Sequence, residues 1–272
     1  MTEFVTVRSL KTTTEMKLIQ SLETIIWGVQ PVPVHQTFTS TKNGGLMLGA
    51  FINNEIVGFS YGFPGVINGK LHLCSHMLGI HPDYQQRGIG KALKDEQLIQ
   101  AKELGYDLIR WTFDPLESLN AYLNISKLYG ICDTYLENCY GEMEDGLNHG
   151  LPSDRFNIDW WITSERVQEK WSPDISTYEC PFPIHYSEQG NPELTVVEIP
   201  TNLEGIEVPV PHDFQFIKKN EPELALDWRM KTREIFQTLF SAGYCVVTVK
   251  LSTDRVHFYQ LVKKDTIPLL TI

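Results

Sequence analysis

The residues best suited to chemistry are seven consecutive positions, Gln85-Gln86-Arg87-Gly88-Ile89-Gly90-Lys91. An apolar run at 71–80 precedes them and predicts a β-strand, and a helix is predicted from about residue 90 to residue 104. A glycine-bearing turn between a strand and a helix directs unpaired backbone N–H groups at one point, where the helix dipole adds positive potential. The segment therefore predicts an anion site suited to a pyrophosphate, with Arg87 and Lys91 supplying charge.

Spacing separates three phosphate-binding motifs that could occupy this turn. A P-loop needs a glycine where Gln85 stands, and a serine or threonine where Ala92 follows Lys91. A dinucleotide fingerprint needs a third glycine at the position of Leu93. Neither pattern fits, and what remains is Gln85-x-x-Gly88-x-Gly90. An ordinary strand–turn–helix, with glycines used only for turning, stays the alternative.

This spacing, preceded by Leu78-Gly79-Ile80-His81-Pro82-Asp83-Tyr84, resembles the pyrophosphate loop and preceding strand of the GNAT acyl-CoA N-acyltransferases. The resemblance extends over about residues 3–163. It implies acetyl-CoA or another acyl-CoA as co-substrate, and no metal. It also implies that the strand backbone at Leu78 and Ile80, with Gly79 between them, binds the pantetheine arm, and that residues 85–91 surround the pyrophosphate.

The same resemblance implies direct attack of an amine on a thioester, which requires a way to remove the ammonium proton. Strand alternation places His72, Cys74 and His76 on one face of the predicted strand. Cys74 stands where some family members carry a glutamate base, and a thiol is a poor base. An imidazole titrates in a useful range, so His76 is the first candidate and His72 the second. A purely structural hydrogen bond remains the alternative for each histidine.

A second difference from the family pattern lies in the next predicted helix, 116–128. Family members often carry a tyrosine four residues before a Gly-Phe pair as proton donor to the leaving thiolate, and no tyrosine has that spacing here. Asn120 and Asn124, one turn apart, are expected to contact the amides or the thioester of the cofactor. Tyr122 or Tyr129 could supply the proton if the register shifts.

The run Trp111-Thr112-Phe113-Asp114-Pro115, with Asp154-Arg155-Phe156 later, resembles a bacterial subgroup of predicted GNAT acetyltransferases that carries a C-terminal extension. That resemblance implies a small amine acceptor, with a free amino acid as the first expectation. The carboxylate of an amino acid would need a cation, for which Arg110, Lys127 and Arg155 are candidates. For the two aromatic residues of the run, lining the pocket and plain core packing are both consistent with the sequence.

The pattern of elements predicts an α/β (α+β) fold with a mixed, mostly antiparallel central sheet and flanking helices. Strands are predicted at 5–10, 46–52, 56–62, 71–80, 107–113, 131–140 and 156–163, and helices at 16–27, 90–104 and 116–128. Segment 31–43 is predicted to be a loop because of its prolines and threonines. Asn53-Asn54 and Asn68-Gly69 predict tight hairpin turns.

Residues 164–272 are predicted to form a smaller α+β domain after a GNAT acyl-CoA-binding catalytic domain at 1–163. A strand is expected at 194–199, a helix at 221–242, and strands at 244–251 and 256–262. This C-terminal part is interpreted as a lid over the acceptor pocket or as a homodimer contact. A degenerate second GNAT-like half is the other interpretation.

Composition limits the partners and the compartment. The net charge of −11 argues against nucleic acid or an anionic membrane as the main partner. No apolar run approaches the length of a membrane span, and the N-terminus lacks the pattern of a secretory signal. The five cysteines form no C-x-x-C pair, which predicts free thiols in a cytoplasmic protein.

The resulting hypothesis is an acyl-CoA-dependent N-acyltransferase that transfers an acetyl or succinyl group to the amine of a small molecule. A protein or peptide N-acetyltransferase is the alternative within the same class. An alternative of another class is a non-catalytic acyl-CoA-binding module, because neither the glutamate nor the tyrosine of the family pattern is present.

Overall fold

The structure, a computed structural model, describes residues 4–141, 150–174 and 178–269. The chain forms two compact units. Unit 1 takes its residues from 1–111 and 161–163, and unit 2 takes its residues from 112–160 and 164–272. The predicted division into functional domains at 1–163 and 164–272 stays a prediction.

Unit 1 contains a mostly antiparallel sheet and three helices. Its elements are β1 (Thr6–Ser9), α1 (Thr13–Trp27), α2 (Val34–Lys42), β2 (Leu46–Ile52), β3 (Glu55–Ile67), β4 (Lys70–Ile80), α3 (Ile89–Glu103) and β5 (Leu108–Phe113), the last two residues of which fall in unit 2. The strands lie in the order β1-β2-β3-β4-β5, and only β4 and β5 are parallel neighbours. The predicted fold class, a mixed and mostly antiparallel sheet with flanking helices, is confirmed.

Alternation along β2 supplies the two faces on which the helices of unit 1 pack. Met47 joins a core cluster that includes Met16, Ile19 and Leu22 of α1. The next residue, Leu48, joins a separate cluster that includes Ile89 and Leu93 of α3. Because successive side chains of a strand point to opposite faces, α1 and α3 cover opposite faces of the sheet. Each fully buried aliphatic side chain contributes about 1.5–3 kcal/mol to this packing.

Helix α1 begins with a capping box. The backbone N–H of Glu15 donates to the side-chain oxygen of Thr12, and the backbone N–H of Thr12 donates to the Glu15 carboxylate. Gly28 ends the helix in the left-handed region, with φ of 68°. The predicted helix at 16–27 is confirmed, and it begins three residues earlier, at Thr13.

The prediction of a loop at 31–43 is wrong, because helix α2 occupies Val34–Lys42. Its prolines precede the helix, with Pro33 at the N-cap, where a missing N–H costs little. Val34 and Phe38, one turn apart, pack against the same core cluster as α1. The packing of Val34 and Phe38 against this core therefore outweighs the low helix propensity of the threonines.

Both predicted hairpins are confirmed. Asn53 and Asn54 join β2 to β3 with φ of 49° and 67°, and Asn68 and Gly69 join β3 to β4 with φ of 50° and 75°. Positive φ at both central residues is the requirement of a type I′ turn, whose twist matches that of the flanking strands. Strand β3 extends to Ile67, beyond its predicted end at 62.

Unit 2 contains an antiparallel sheet and a long helix. Its elements are α4 (Ser118–Ala121), a π-helical stretch (Tyr122–Lys127), β6 (Ile131–Leu136), β7 (Arg155–Trp161), α5 (Glu165–Gln168), β8 (Ile184–Tyr186), β9 (Pro192–Leu194), β10 (Gly205–Pro211), α6 (Phe214–Asn220), α7 (Pro222–Ser241), β11 (Tyr244–Lys250) and β12 (Val256–Lys263). The strands of the sheet follow the order β7-β6-β11-β12-β10, while β8 and β9 form a separate pair. The predicted helix at 221–242 and the two strands after it are confirmed.

The predicted α-helix at 116–128 is only partly right. Four residues are α-helical, and from Tyr122 the chain is a π-helix in which the backbone N–H of Leu128 donates to the carbonyl of Leu123, five residues earlier. The extra residue in the turn changes which side chains face the core. Leu119, expected on the apolar stripe, is 59% exposed, whereas Ile125 and Leu128 are buried.

Two further predictions in unit 2 need correction. The strand expected at 194–199 ends at Leu194, because β9 pairs only with the three residues of β8. Strand β10 and helix α6 were not predicted. The prolines at 209 and 211 argue against a strand, but β10 is the last strand in the order of its sheet, where a missing N–H is tolerated.

Candidate active site

The predicted anion site is an uncapped helix N-terminus at the surface of unit 1. Gly88 is the N-cap of α3 with φ of 79°, and it provides no side-chain hydrogen bond to the first turn. The backbone N–H groups of Ile89, Gly90 and Lys91 begin the helix and have no carbonyl four residues earlier within it. Gly88 is exposed, and a Cβ built on it meets no atom within 4 Å, so the loop is open at this residue.

The residues before Gly88 shape this loop. Pro82–Tyr84 form a single 3-10 turn, and Gln86 follows in the left-handed region with φ of 60°. The Arg87 guanidinium lies 5.0 Å from the centroid of the Tyr84 ring and donates to the carbonyl of Asp83 at 3.0 Å. Lys91 pairs with Asp95 one turn later at 2.6 Å. Positive charge from both basic side chains is therefore added close to the helix N-terminus.

Strand β4 leads to the loop, and only its first half contains residues that pair with β5. The register joins Leu73 to Ile109 and Cys74 to Arg110. Among the residues that the structure describes, positions 75–80 of β4 have no ladder partner on β5, and all of them except His76 pair with β3. Leu78, Gly79 and Ile80 lie in this edge, whose backbone groups need hydrogen-bond partners.

His76 occupies a β-bulge. Tyr61 of β3 pairs with Met77 and the next residue, Gly62, pairs with Ser75, so His76 is the extra residue between them. The bulge interrupts the strict alternation that the sequence prediction assumed for this strand. The His76 ring packs at 5.5 Å from Phe63 and 6.3 Å from Tyr61, measured between ring centroids. Desolvation lowers the pKa of the His76 imidazole below its ordinary value, which favours the neutral ring.

The other two residues of the predicted face have different surroundings. His72 is buried, and a Cβ built on its cross-strand neighbour Gly65 would lie 2.5 Å from the His72 Nε2, so the imidazole fills the space that this glycine leaves. Desolvation raises the pKa of the Cys74 thiol, although Arg110 and Lys94 oppose the shift. The Cys74 thiol is therefore held in its protonated form at neutral pH.

A buried polar group beside this strand was missed by the sequence reasoning. Lys94 of α3 is 2% exposed, and its ammonium donates to Ser75 Oγ at 2.8 Å and to Gln97 Oε1 at 3.2 Å. Burial lowers the pKa of Lys94 to about 7. The available signal was the presence of Lys94 and Gln97 on the apolar face of α3, which also carries Leu93.

Several of the predicted site residues lie in unit 2. Asn124 is buried within the π-helical stretch and donates to Asn120 Oδ1 at 3.3 Å, while Asn120 is exposed. Tyr122 is half-buried, with the Lys127 ammonium 5.0 Å from its ring centroid. Tyr129 has φ of 60° and ends the helical stretch. The two asparagines are four residues apart, the spacing at which helical side chains meet, and π-helical turns are frequent at functional sites.

Arg155, a candidate partner for an acceptor carboxylate, belongs to a buried ion-pair group of unit 2. Its Nη1 lies 3.8 Å from Asp114, whose carboxylate also accepts two hydrogen bonds from Arg229. The neighbouring Asp154 accepts two hydrogen bonds from Arg233. Breaking such a buried pair leaves an uncompensated charge, so Arg155 has a structural role in this arrangement. Trp111 and Phe113 are buried, at 8% and 4% exposed.

The described residues contain neither a metal-binding cluster nor a membrane-spanning helix. No group of three or more His, Cys, Asp or Glu side chains in the described ranges is arranged to hold a metal ion. None of the helices in those ranges combines the length and the hydropathy needed to span a bilayer. All five cysteines lie in the described part of the chain, and each is a free thiol.

Comparison with known protein families gives a match in the N-terminal part of the chain. Residues 14–123 match the family model described as Acetyltransferase (GNAT) family. This span contains the whole of β4, the loop at 85–91 and α3. No curated protein sequence matches the chain.

Solved structures of acetyltransferases are similar to part of the chain. The ribosomal-protein-S18-alanine N-acetyltransferase from Escherichia coli has 15% identity and a TM-score of 0.47, over 64% of this chain and 100% of that one. Naa50 from Arabidopsis thaliana, in complex with a bisubstrate analogue, has 16% identity and a TM-score of 0.45, over 57% and 97%. A GNAT family acetyltransferase from Elizabethkingia anophelis with acetyl-CoA bound has 18% identity and a TM-score of 0.45, over 58% and 97%. At these values no residue role or substrate passes from those proteins to this chain.

Proposed function

Residues 14–123 of this chain match the model of the GNAT acetyltransferase family, and on that basis we propose that the protein is an acyl-CoA-dependent N-acyltransferase. The acyl group, acetyl or succinyl, passes directly from the CoA thioester to the amine of a small molecule. A free amino acid is the first candidate for the acceptor.

One observation supports this proposal above the others. An uncapped helix N-terminus, at Gly88, follows a strand whose last six residues have no ladder partner on β5 among the described residues. The first feature suits a pyrophosphate, and the second suits an extended chain that carries amides. Acyl-CoA contains both parts in this order, so one molecule can satisfy both features.

The proposed binding mode uses backbone groups. The pyrophosphate accepts hydrogen bonds from the first-turn N–H groups of α3, and Arg87 and Lys91 neutralise its charge. The pantetheine arm then lies along β4 and hydrogen-bonds the backbone at Leu78 and Ile80, in the manner of strand addition. This direction brings the thioester toward His76 and Ser75, at the beginning of the unpaired edge.

The proposed chemistry is attack of a neutral amine on the thioester. His76 is the first candidate for the base, because its lowered pKa keeps the imidazole neutral and able to accept a proton at neutral pH. A covalent acyl-cysteine route is disfavoured, because the raised pKa of Cys74 leaves little thiolate. His72 remains the second candidate, and its burial argues for a structural role.

The remaining roles proposed are binding roles. Asn120 and Asn124 supply amide groups for the cofactor or its thioester, and Tyr122 stays a candidate proton donor. For the carboxylate of an amino-acid acceptor, Lys127 is preferred over Arg155, because Lys127 is exposed whereas Arg155 lies beside Asp114. Residues 164–272 keep their proposed role as a lid or a homodimer contact.

The test is release of free CoA from acetyl-CoA and succinyl-CoA, measured with a thiol reagent against free amino acids, polyamines and short peptides. The proposal expects turnover with at least one free amino acid and little with peptides. Peptides turned over while every amino acid is inert would replace it with peptide N-acetylation. Tight acetyl-CoA binding without release for any amine would replace it with a non-catalytic acyl-CoA-binding module.

A further inference from the structure

Lys94 lies where β4 and β5 cease to pair. The last ladder pair joins Cys74 to Arg110, so the register places Ser75 opposite Trp111 at the next position. The Lys94 Nζ is 2.8 Å from Ser75 Oγ and 3.6 Å from the centroid of the Trp111 ring. A single amine, held by α3, therefore contacts both strands at the beginning of the unpaired edge.

The hydrogen bonds around Lys94 fix the direction in which protons can be donated. Gln97 Nε2 donates to Ser60 Oγ at 2.9 Å, which leaves Gln97 Oε1 to accept from Lys94. Ser75 Oγ also accepts from Lys94, so its own hydroxyl proton is directed elsewhere. Within the described ranges that hydroxyl has no acceptor, and it lies in the strand edge to which the thioester is assigned.

Resting on the proposed function, we infer that Lys94 delivers a proton through the Ser75 hydroxyl to the leaving sulfur of acyl-CoA. The amine nitrogen bonds to the thioester carbon, and the C–S bond then breaks with its electron pair on sulfur. Ser75 gives its proton to this thiolate and takes one from the Lys94 ammonium, which becomes a neutral amine. The amide nitrogen loses its excess proton to solvent, and Lys94 regains one from solvent, so the protons balance.

The acidities of the Lys94 ammonium and of a thiol favour transfer of a proton from Lys94 to the leaving thiolate. Burial brings the pKa of Lys94 to about 7, below the value of about 8.5 for an ordinary thiol. Transfer from this ammonium to a thiolate is therefore downhill.

The other ionisable groups around Lys94 are few in the described structure. On β4 they are Cys74, which raises the pKa of Lys94 slightly, and His76 on the bulge. Arg110 on β5 acts on Cys74. On β2 and β3, the side chains that face α3 are apolar, apart from Ser60, whose hydroxyl accepts a hydrogen bond from Gln97. On β1, the Ser9 hydroxyl donates to Gln100 of α3. The pH dependence expected below is therefore assigned to Lys94.

The test compares Lys94→Met with the wild-type protein across pH at saturating acetyl-CoA and acceptor. Wild-type Lys94 is about nine-tenths protonated at pH 6 and about one-hundredth protonated at pH 9. The kcat of the variant is expected to be about 100-fold lower than wild type at pH 6 and within about threefold of it at pH 9. Lys102→Met, at the exposed end of the same helix, is the control and keeps wild-type kcat at both pH values.

Three results separate the inference from its alternatives. A deficit that grows with pH means that Lys94 acts as a base, and a deficit constant with pH means a structural role; each overturns the inference. The third result is the pH at which the kcat of Lys94→Met approaches that of the wild type. If Lys94 acts on the sulfur, this pH stays the same when the acceptor is replaced by one with a less basic amine. Movement of that pH with the acceptor overturns the inference as well.

The activity of Ser75 variants and the melting temperature of Lys94→Met are two independent measurements. Ser75→Ala is expected to reproduce the pH-dependent loss, and Ser75→Thr, which keeps the hydroxyl, to restore most of the activity. Lys94→Met is expected to bind CoA normally and to melt at the wild-type temperature or above it, because it replaces a buried amine by an apolar chain. Full activity of Ser75→Ala overturns the relay. Failure of the proposed function shows separately, as absence of turnover in the wild-type protein, and removes the inference with it.

Discussion

At the scale of single residues, the position of His76 depends on a bulge that strand alternation does not predict. The register shift between Tyr61 and Gly62 of β3 makes His76 the extra residue of β4. A bulge re-aims a side chain and ends regular pairing, and such irregularities are common beside active sites. Here the bulge residue lies two positions beyond Cys74, the last residue of β4 that pairs with β5.

The first prediction concerns His76→Ala. If the neutral imidazole removes the proton of the attacking ammonium, kcat at pH 7 falls by about 100-fold. The pKa of His76 is lowered, so the wild-type protein keeps its base below the ordinary imidazole pKa and loses it only at more acidic pH. The deficit of the variant shrinks as pH approaches the pKa of the acceptor amine, where free amine is abundant. Steady-state pH profiles give both quantities.

His72→Ala is the competing variant, because His72 is the second candidate on the same strand. A larger and pH-dependent loss in His72→Ala would transfer the role of base to that residue. An equal deficit of His76→Ala at every pH would instead mean that His76 supports the packing of Phe63 and Tyr61.

The sequence predicts some of these residues well and others not at all. The spacing Gln85-x-x-Gly88-x-Gly90 was sufficient to predict where α3 begins, because a helix N-terminus is built from consecutive residues. Lys94 could not be assigned, because its surroundings come from Ser75 and Trp111, which are distant in the chain. The spacing of residues along the chain does not show which distant residues come into contact.

At the scale of elements, local capping and turn chemistry predicted boundaries, while packing decided the exceptions. Helix α1 and both asparagine-rich hairpins follow their sequence signals. Helix α2 was missed because its few apolar residues matter only when they meet the core of α1. The π-helical stretch was missed because a single extra residue in a turn has no sequence pattern of its own.

The second prediction concerns the cap of α1. Thr12→Ala removes the acceptor for the Glu15 N–H and is expected to lower the free energy of unfolding at pH 7 by about 1 kcal/mol. Thr12→Ser keeps the hydroxyl and is the matched control. Urea unfolding of the three proteins measures the difference. Equal stability of Thr12→Ala and wild type would contradict the role of the capping box.

The third prediction concerns the carboxylate of the same cap. The Arg8 guanidinium, helped by the backbone N–H of Lys11, lowers the pKa of Glu15 from 4.5 to about 2. Because the folded-state pKa is depressed, the stabilisation is present above about pH 4.5 and is lost as pH falls through about 2. Glu15→Gln should therefore destabilise the protein at pH 6 and have little effect near pH 2. A penalty that does not change between those pH values would show that charge is not involved.

At the scale of the whole molecule, residues 112–160 complete their packing with the C-terminal part of the chain. Phe156 of β7 lies 4.7 Å from Phe236 of α7, measured between ring centroids, and β11 pairs with β6 at Val246 and Cys132. Arg229 and Arg233 of α7 neutralise two buried aspartates, Asp114 and Asp154. The sequence predicted the elements of this region, but these contacts join residues about 80 to 115 positions apart.

The fourth prediction is that a fragment ending at Thr163 does not fold independently. It would expose Phe156 and remove Arg229 from Asp114 and Arg233 from Asp154, which is a costly arrangement for buried charge. Expression of residues 1–163 is expected to give aggregated or inactive protein. A soluble fragment with a cooperative thermal transition and full activity would show that residues 164–272 are dispensable.

The claim on which the whole account rests is that the N-terminus of α3 binds the pyrophosphate of acyl-CoA. Gly88 and Gly105 lie at opposite ends of this helix with φ of 79° and 84°, and a Cβ on either meets no atom within 4 Å. Gly88→Asp and Gly105→Asp therefore impose a similar backbone strain, but only the first places a carboxylate where the phosphates must bind.

Isothermal titration of acetyl-CoA into the wild-type protein and these two variants is the most direct measurement. The account predicts binding by the wild type and by Gly105→Asp, and no detectable binding by Gly88→Asp, which keeps a folded circular dichroism spectrum. Wild-type affinity in Gly88→Asp, or no affinity in the wild type itself, would contradict it.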